Sequence, residues 1–208
     1  MDKYIDFREF IDIDKLKFVA SEIRNGKIVV FPTETVYGIG TNGLNESSVQ
    51  KLYEIRKRPT TKPISLLVSD INMAEKYAKS ISNIEYKIMN AFFPGPLTIV
   101  LRKADIVPNI ITANSDFVGI RMPESDIARE LVSYAGVPIA TPSANIAGQP
   151  SGTNIASIMA DFKDTVDYFI DGGESRLGKA STVVKVENGV PVILREGSIS
   201  LEQIKRSI

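Results

Sequence analysis

The chain contains no cysteine and no histidine. Without cysteine there is no disulfide, thiol nucleophile or thiolate metal site, and without histidine there is no imidazole base and no histidine-ligated zinc. A Ser-His-Asp hydrolase is thereby excluded. Tryptophan is absent and aromatic residues make up only 8% of the chain, which leaves little material for a platform on which single-stranded RNA bases stack. No apolar run approaches the roughly 20 residues that span a bilayer, and the charged start MDKYIDFREF lacks the apolar centre of a signal peptide. The expectation is a soluble, cytoplasmic protein with no membrane role. Twenty-five basic residues balance twenty-five acidic ones, so affinity for a polyanion has to come from a local patch. The chemistry left to Arg, Lys, Ser, Thr, Tyr, Asp and Glu suits reactions in which phosphate is placed and neutralised.

What is present is enough for one substantial core, since 43% of the 208 residues are hydrophobic. One domain over residues 1–208 is expected. KIVV at 27–30 reads as a buried strand that Pro32 ends, and FPTETVYGIG at 31–40 gathers Thr33, Glu34, Thr35 and Tyr37 at the strand's end. In an open α/β sheet that edge is where ligands bind. Gly38 and Gly40 are read as places where the backbone turns tightly or approaches a ligand.

Leu16, Val19 and Ile23 predict a helix over 14–25, with Asp14 capping its start and Gly26 its end, leading into a strand at 27–31. Asn45 caps a second helix with Val49, Leu52 and Tyr53 inward, which ends in Arg56, Lys57, Arg58 and Lys62. ISLLVS at 64–69 reads as a strand, two helices follow at 70–79 and 82–92, and Ser82 and Glu85 have capping-box spacing. LTIVLR at 97–102 and FVGIR at 117–121 read as strands, with 103–116 irregular between them. A helix over 126–135 returns to a strand at 137–140, which runs into the polar loop TPSANIAGQPSG at 141–152. A helix near 154–160 and a strand near 166–170 precede a hairpin in which STVVKV and VPVILR pair across Asn188-Gly189. That pairing sets Ser181 beside Arg195, and Ser200 and Gln203 open a terminal helix. The alternation of helices and strands with an antiparallel end predicts a mixed, twisted α/β sheet.

Five polar elements therefore fall at strand ends or adjoining loops: 33–37, 56–62, Arg121, 141–151 and the Ser181/Arg195 pair. Converging, they give a concavity floored by hydroxyl and amide groups and walled by four or more cations, which suits a polyanionic nucleotide. No P-loop and no GxGxxG occurs. Each element has a plainer reading, as a solvated helix end, a strand-end salt-bridge partner or a self-satisfied turn.

Taken together, FPTETVYGIG, the helix end with its RP and KP pairs, PGPLTIVL, VGIRMP, ATPSAN, the Ser151-Gly152 pair, GG followed by STVV, and LREG resemble the YrdC-type threonylcarbamoyl-adenylate synthases over roughly residues 12–198. The resemblance implies a YrdC-like fold, an open twisted mixed sheet with flanking helices around a large basic cavity. It also implies a nucleotidyltransferase reaction. L-threonine and bicarbonate form a carbamate whose carboxylate attacks the α-phosphate of ATP, giving threonylcarbamoyl-AMP and pyrophosphate. The product serves N6-threonylcarbamoyladenosine formation in tRNA, which brings in downstream tRNA threonylcarbamoyl-transferase proteins and contact with RNA.

Position by position, the resemblance assigns Thr35, Tyr37, Arg121 and Ser181 to threonine. It assigns Arg58, Lys62, Thr141, Ser143, Ser151 and Arg195 to ATP, with Asn145 beside them and Arg58, Lys62 and Ser143 as the catalytic set. The residue types agree: Arg121 can hold a carboxylate, Arg58 and Lys62 can neutralise triphosphate, and Thr141 and Ser143 can donate to phosphate oxygens. Mg²⁺ is expected with ATP, held mainly by the phosphates, because no dedicated metal cage is visible. Arg56 stands where the family often has lysine, and Leu67 where some relatives have histidine. Two other readings stay open. A YciO-type relative shares VYGIG, VGIRMP and LREG but generally lacks the PGP and TPSAN forms found at 94–96 and 141–145. A module binding double-stranded RNA or tRNA without catalysis would use the basic patch but leave Thr35, Tyr37 and Ser181 unexplained.

Overall fold

The computed structural model describes residues 2–208. The chain opens with β1 (Tyr4–Asp6), α1 (Ile13–Arg24), β2 (Val29–Phe31) and β3 (Gly38–Asn42). Next come α2 (Glu46–Ile55), β4 (Leu66–Leu67), α3 (Ile71–Tyr77), α4 (Asn83–Phe92) and β5 (Leu97–Arg102). The second half holds α5 (Asn109–Thr112), β6 (Phe117–Arg121), α6 (Asp126–Ala135), β7 (Ile139–Ala140), α7 (Ile155–Phe162) and β8 (Tyr168–Asp171). It closes with the hairpin β9 (Thr182–Glu187) and β10 (Val190–Arg195) and with α8 (Leu201–Lys205). Among the described residues ten strands make one open sheet in the order β1-β8-β2-β3-β7-β4-β6-β5-β9-β10. It is mixed, as the sequence predicts: β4 and β9 run parallel to β6 and β5, while β3, β7 and β10 pair antiparallel with their neighbours.

Local chemistry accounts for most boundaries. The Ser82/Glu85 capping box opens α4, Ser200/Gln203 opens α8, and Asn45 caps α2 by accepting from Ser48 N–H. Asn188 and Gly189, at φ 50° and 80°, form the left-handed turn that matches the twist of β9 and β10. Four expectations need correction. The cap of α1 is Asp12, whose carboxylate accepts from Asp14 and Lys15 N–H, so Asp14 is a first-turn residue. The runs 27–31, 64–69 and 137–140 shrink to strands of three, two and two residues; at the start of the second run Ile64 N–H bonds outside the ladder, to Ile111 O. Strand β1 and the short helix α5 carry too little pattern to be predicted. Finally, Gly38 and Gly40 lie in β3, not in a turn. A Cβ on Gly38 would sit 2.5 Å from Thr141 Cγ2, and one on Gly40 would sit 2.6 Å from Ile139 Cγ2. They are small so that β7 and its following loop can pack across them.

Side-chain alternation decides what each sheet face holds. Ile99, Ile120 and Val184 point into the core with Leu66 and Ala140, beneath helices such as α1, which packs on α6. The opposite face of β6, β5 and β9 carries Phe117, Gly119 and Arg121, then Thr98 and Val100, then Val183 and Lys185. Those residues line two adjoining hollows.

Candidate active site

Strand ends deliver the polar groups to one cleft of about 120 Å³. After β2 the chain folds back through 32–37. Tyr37 N–H donates to Gly152 O at 3.0 Å and Ala144 N–H donates to Tyr37 O at 2.8 Å, which lashes this loop to 144–152. Thr33, Thr35 and Tyr37 line one wall. The Tyr37 hydroxyl donates to Gly173 O at 2.6 Å, and burial pushes its pKa well above the usual phenol value.

Arg121, ending β6, donates from Nη2 to Glu34 Oε2 at 2.7 Å and to Thr35 Oγ1 at 2.9 Å. Arg195, ending β10, donates from Nε and Nη2 to Ser181 O at 3.1 and 2.8 Å and from Nη2 to Ser181 Oγ at 3.1 Å. The side-by-side placement expected of Ser181 and Arg195 is thus present. Ser181 Oγ also lies 2.8 Å from Thr98 Oγ1 on β5.

The end of α2 supplies Arg56 and Arg58. Arg58 is fixed by Lys62 O and Pro63 O, at 3.3 and 2.9 Å. Arg56 is 2% exposed. It donates from Nε to Asn145 O and from Nη2 to Asn145 Oδ1, both at 3.0 Å. Its Nη1 has no partner.

Among the described residues four guanidiniums, of Arg56, Arg58, Arg121 and Arg195, therefore line the cleft, and no carboxylate or lysine lines it with them. Arg121 alone is paired with an acid, Glu34. The other three are held by carbonyl, amide and hydroxyl oxygens, so their charge is uncompensated. Burial pushes the pKa of all three down, helped by Arg58 for Arg56 and by Arg121 and Arg58 for Arg195. Arg56 falls to about 10, still protonated at neutral pH. Partly dehydrated cations without counter-charges are a receptor for an anion, and guanidinium forks match phosphate and carboxylate edges.

Of the residues the sequence singles out, Thr35, Tyr37, Arg58, Arg121, Thr141, Ser143, Ser181 and Arg195 line the cleft. Three do not. Lys62 has an exposed side chain and contributes its carbonyl to holding Arg58. Asn145 is buried behind Ser143, and Ser151 is half-buried, next to the Gly152 carbonyl that receives Tyr37. The two hydroxyls expected to donate to phosphate, of Thr141 and Ser143, rest on protein acceptors in this structure. Ser143 Oγ donates to Asn145 Oδ1 at 2.6 Å and Thr141 Oγ1 to Ile139 O at 3.1 Å. Each hydroxyl has one proton, which reaches a phosphate oxygen only by turning from its present acceptor. Sequence reasoning missed Thr98 as a cleft residue. Its signal was the alternation in LTIVLR, which sets Thr98 on the face opposite Ile99.

Beside the cleft, sharing Pro63, Ile64, Ser65 and Arg195 with it, lies a roomier and more apolar hollow of about 400 Å³. Phe117, Val100, Gly119, Val183 and Leu194 form its floor and sides. Lys185 Nζ stands 4.1 Å from the centre of the Phe117 ring.

A family model described as "Telomere recombination", covering Sua5, YciO and YrdC, matches residues 21–197. The chain is 42% identical over 204 residues to a threonylcarbamoyl-AMP synthase of Pyrococcus abyssi, covering 98% of this chain and 60% of that protein. It is 43% identical over 191 residues to a putative threonylcarbamoyl-AMP synthase of Methanocaldococcus jannaschii, covering 92% of this chain and 89% of that protein. Among solved structures, P. abyssi Sua5 complexed with L-threonine superposes with a TM-score of 0.95 at 42% identity, over 99% of this chain and 60% of that one. This chain thus spans about three fifths of the P. abyssi protein and most of the M. jannaschii one.

Proposed function

The chain belongs to the family of Sua5, YciO and YrdC, and from that premise we propose that it is a threonylcarbamoyl-AMP synthase, with residues 1–208 acting as one catalytic domain in the cytoplasm. It joins L-threonine and bicarbonate as a carbamate to the α-phosphate of ATP and releases pyrophosphate. The product then passes to the proteins that transfer the threonylcarbamoyl group to tRNA. The observation that carries the reading is a single cleft lined by four guanidiniums, three of them without a carboxylate partner and the fourth, Arg121, held by Glu34 and Thr35.

The chemistry follows from that division. Arg121 takes the amino-acid carboxylate, with Thr35, Tyr37 and Ser181 around it. Arg56, Arg58 and Arg195 take the triphosphate, and Lys62 reaches it from the rim. The nucleoside rests in the apolar hollow beside Phe117, which Arg195 joins to the cleft. The carbamate forms when the threonine amine, having lost its ammonium proton to solvent, adds to the bicarbonate carbon and water leaves; its already ionised oxygen then attacks the α-phosphate, a step that needs no carboxylate or imidazole base. Negative charge that builds on the leaving pyrophosphate meets fixed guanidiniums in a partly dehydrated site, the arrangement that lowers such barriers most. Ser143 joins by turning its hydroxyl from Asn145 to a phosphate oxygen, and Arg56 Nη2 then keeps the Asn145 amide oxygen satisfied. Asn145 and Ser151 support this loop from behind.

Among the described residues no group of three His, Cys, Asp or Glu side chains is placed to hold a metal ion. Mg²⁺ arriving with ATP would be held mainly by the phosphates and would supply further charge neutralisation there. Incubation with ATP, L-threonine and ¹³C-bicarbonate tests the reading by mass spectrometry. The expected product is an AMP-linked threonylcarbamoyl group carrying one ¹³C; an AMP adduct without the label contradicts the carbamate route.

A further inference from the structure

We propose that Glu34 is a positioning residue for amino-acid recognition, fixing the Arg121 guanidinium and leaving Thr35 an acceptor-only group toward the cleft. This rests on the reading of Arg121 as the partner of the amino-acid carboxylate. Glu34 is 5% exposed, lies in the loop that follows β2, and is the acid that pairs with a cleft arginine among the described residues.

Accounting for protons shows what the pair does. A guanidinium has five N–H donors. Arg121 spends both on Nη2, one on Glu34 Oε2 and one on Thr35 Oγ1, while its Nε has no partner. Thr33 gives its single hydroxyl proton to Val36 O at 2.6 Å. In the 2.9 Å contact between Thr33 and Thr35 the proton must then come from Thr35. Thr35 Oγ1 has therefore donated to Thr33 and accepted from Arg121, and one lone pair remains. Only a ligand N–H or O–H can use it.

A carboxylate-binding guanidinium beside an acceptor-only hydroxyl complements an α-amino acid or its N-carboxylate, which keeps one N–H. It is a poor partner for a phosphate, whose oxygens would face the Thr35 lone pair. Glu34 thus sets Arg121 apart in a cleft that four arginines would otherwise make uniformly attractive to ATP. Without its charge, Arg121 Nη2 is free to turn toward phosphate, and Thr35 loses the donor that fixes its hydroxyl.

The test is calorimetric binding of L-threonine and of ATP to the wild-type protein and to Glu34→Gln, with thermal unfolding as the check on folding. The expected result is at least tenfold weaker threonine binding with ATP affinity equal to that of wild type or tighter. Threonine affinity within twofold of wild type in a folded variant overturns the proposal, and so does equal weakening of both ligands, which marks a merely structural role. If Glu34→Gln does not fold, Glu34→Asp keeps the charge but draws it back by one methylene, and the same split is expected. Wild-type protein that binds threonine and turns over, beside an unaffected variant, removes only the role of Glu34. Wild-type protein that binds no threonine removes the amino-acid reading with it.

Discussion

Arg56, Arg58 and Arg195 spend donors on Asn145, Ser143, Lys62, Pro63 and Ser181 oxygens and on no acid. Each is held in place without being neutralised. Arg58 and Lys62 look alike in the sequence, as basic residues of one cluster, yet Arg58 lines the cleft and the Lys62 side chain is exposed. Replacing Arg58 with Ala should slow pyrophosphate release at least tenfold, whereas Lys62→Ala should cost distinctly less; steady-state rates for the two folded variants check the order. Equal losses would mean that the 59–63 loop carries Lys62 inward during turnover. Sequence reading reaches the identity of such groups but not the direction of their protons. That Ser143 and Thr141 rest theirs on protein oxygens, and that Thr35 is left an acceptor, depends on which oxygen lies nearest, and residues far apart in the chain decide that.

At the scale of elements, the choice of Asp12 over Asp14 as the α1 cap makes a separable prediction. The Asp12 carboxylate satisfies two N–H groups of the first turn, and the backbone N–H of Lys15 is the main cause of its lowered pKa. Asp12→Ala should lower the Tm by a few degrees and Asp14→Ala should leave it nearly unchanged. Since the folded-state pKa of Asp12 is depressed, the cap's contribution is complete above the ordinary aspartate pKa and fades as pH falls through the lowered one. A pH series of the Tm difference checks the sign. Elements with their own punctuation were legible: α4 and α8 with their capping boxes, the Asn188-Gly189 hairpin, and β5 and β6 with clear bounds. The buried strands β2, β4 and β7 were overextended because runs of Val, Ile and Leu lack alternation to mark where ladder bonding stops. Strand β3 was missed because its glycines read as turn residues, while their smallness serves packing by Thr141 and Ile139.

For the whole molecule, one sheet gathers groups from residue 33 to residue 195 on the face opposite its core. Uncompensated, partly buried cations there strain the unliganded protein, and a bound polyanion relieves them. Pyrophosphate at about 100 times its Kd adds about 2.7 kcal/mol to stability, which is roughly 5–11 °C in Tm for a chain of this size. Arg58→Ala should remove a large part of that shift, and differential scanning calorimetry reads both. The convergence was legible in outline, since five polar segments fall at strand ends. The distinct setting of Arg121 within it was not, because it depends on a single acid, Glu34, reaching Arg121 across 87 positions of chain.

The measurement that bears most directly on this account is pyrophosphate release from ATP and Mg²⁺ by the purified protein, with threonine and bicarbonate supplied together, singly and not at all. The account predicts release only when both are present. Release that continues at the same rate without threonine, or with threonine but without bicarbonate, would contradict it.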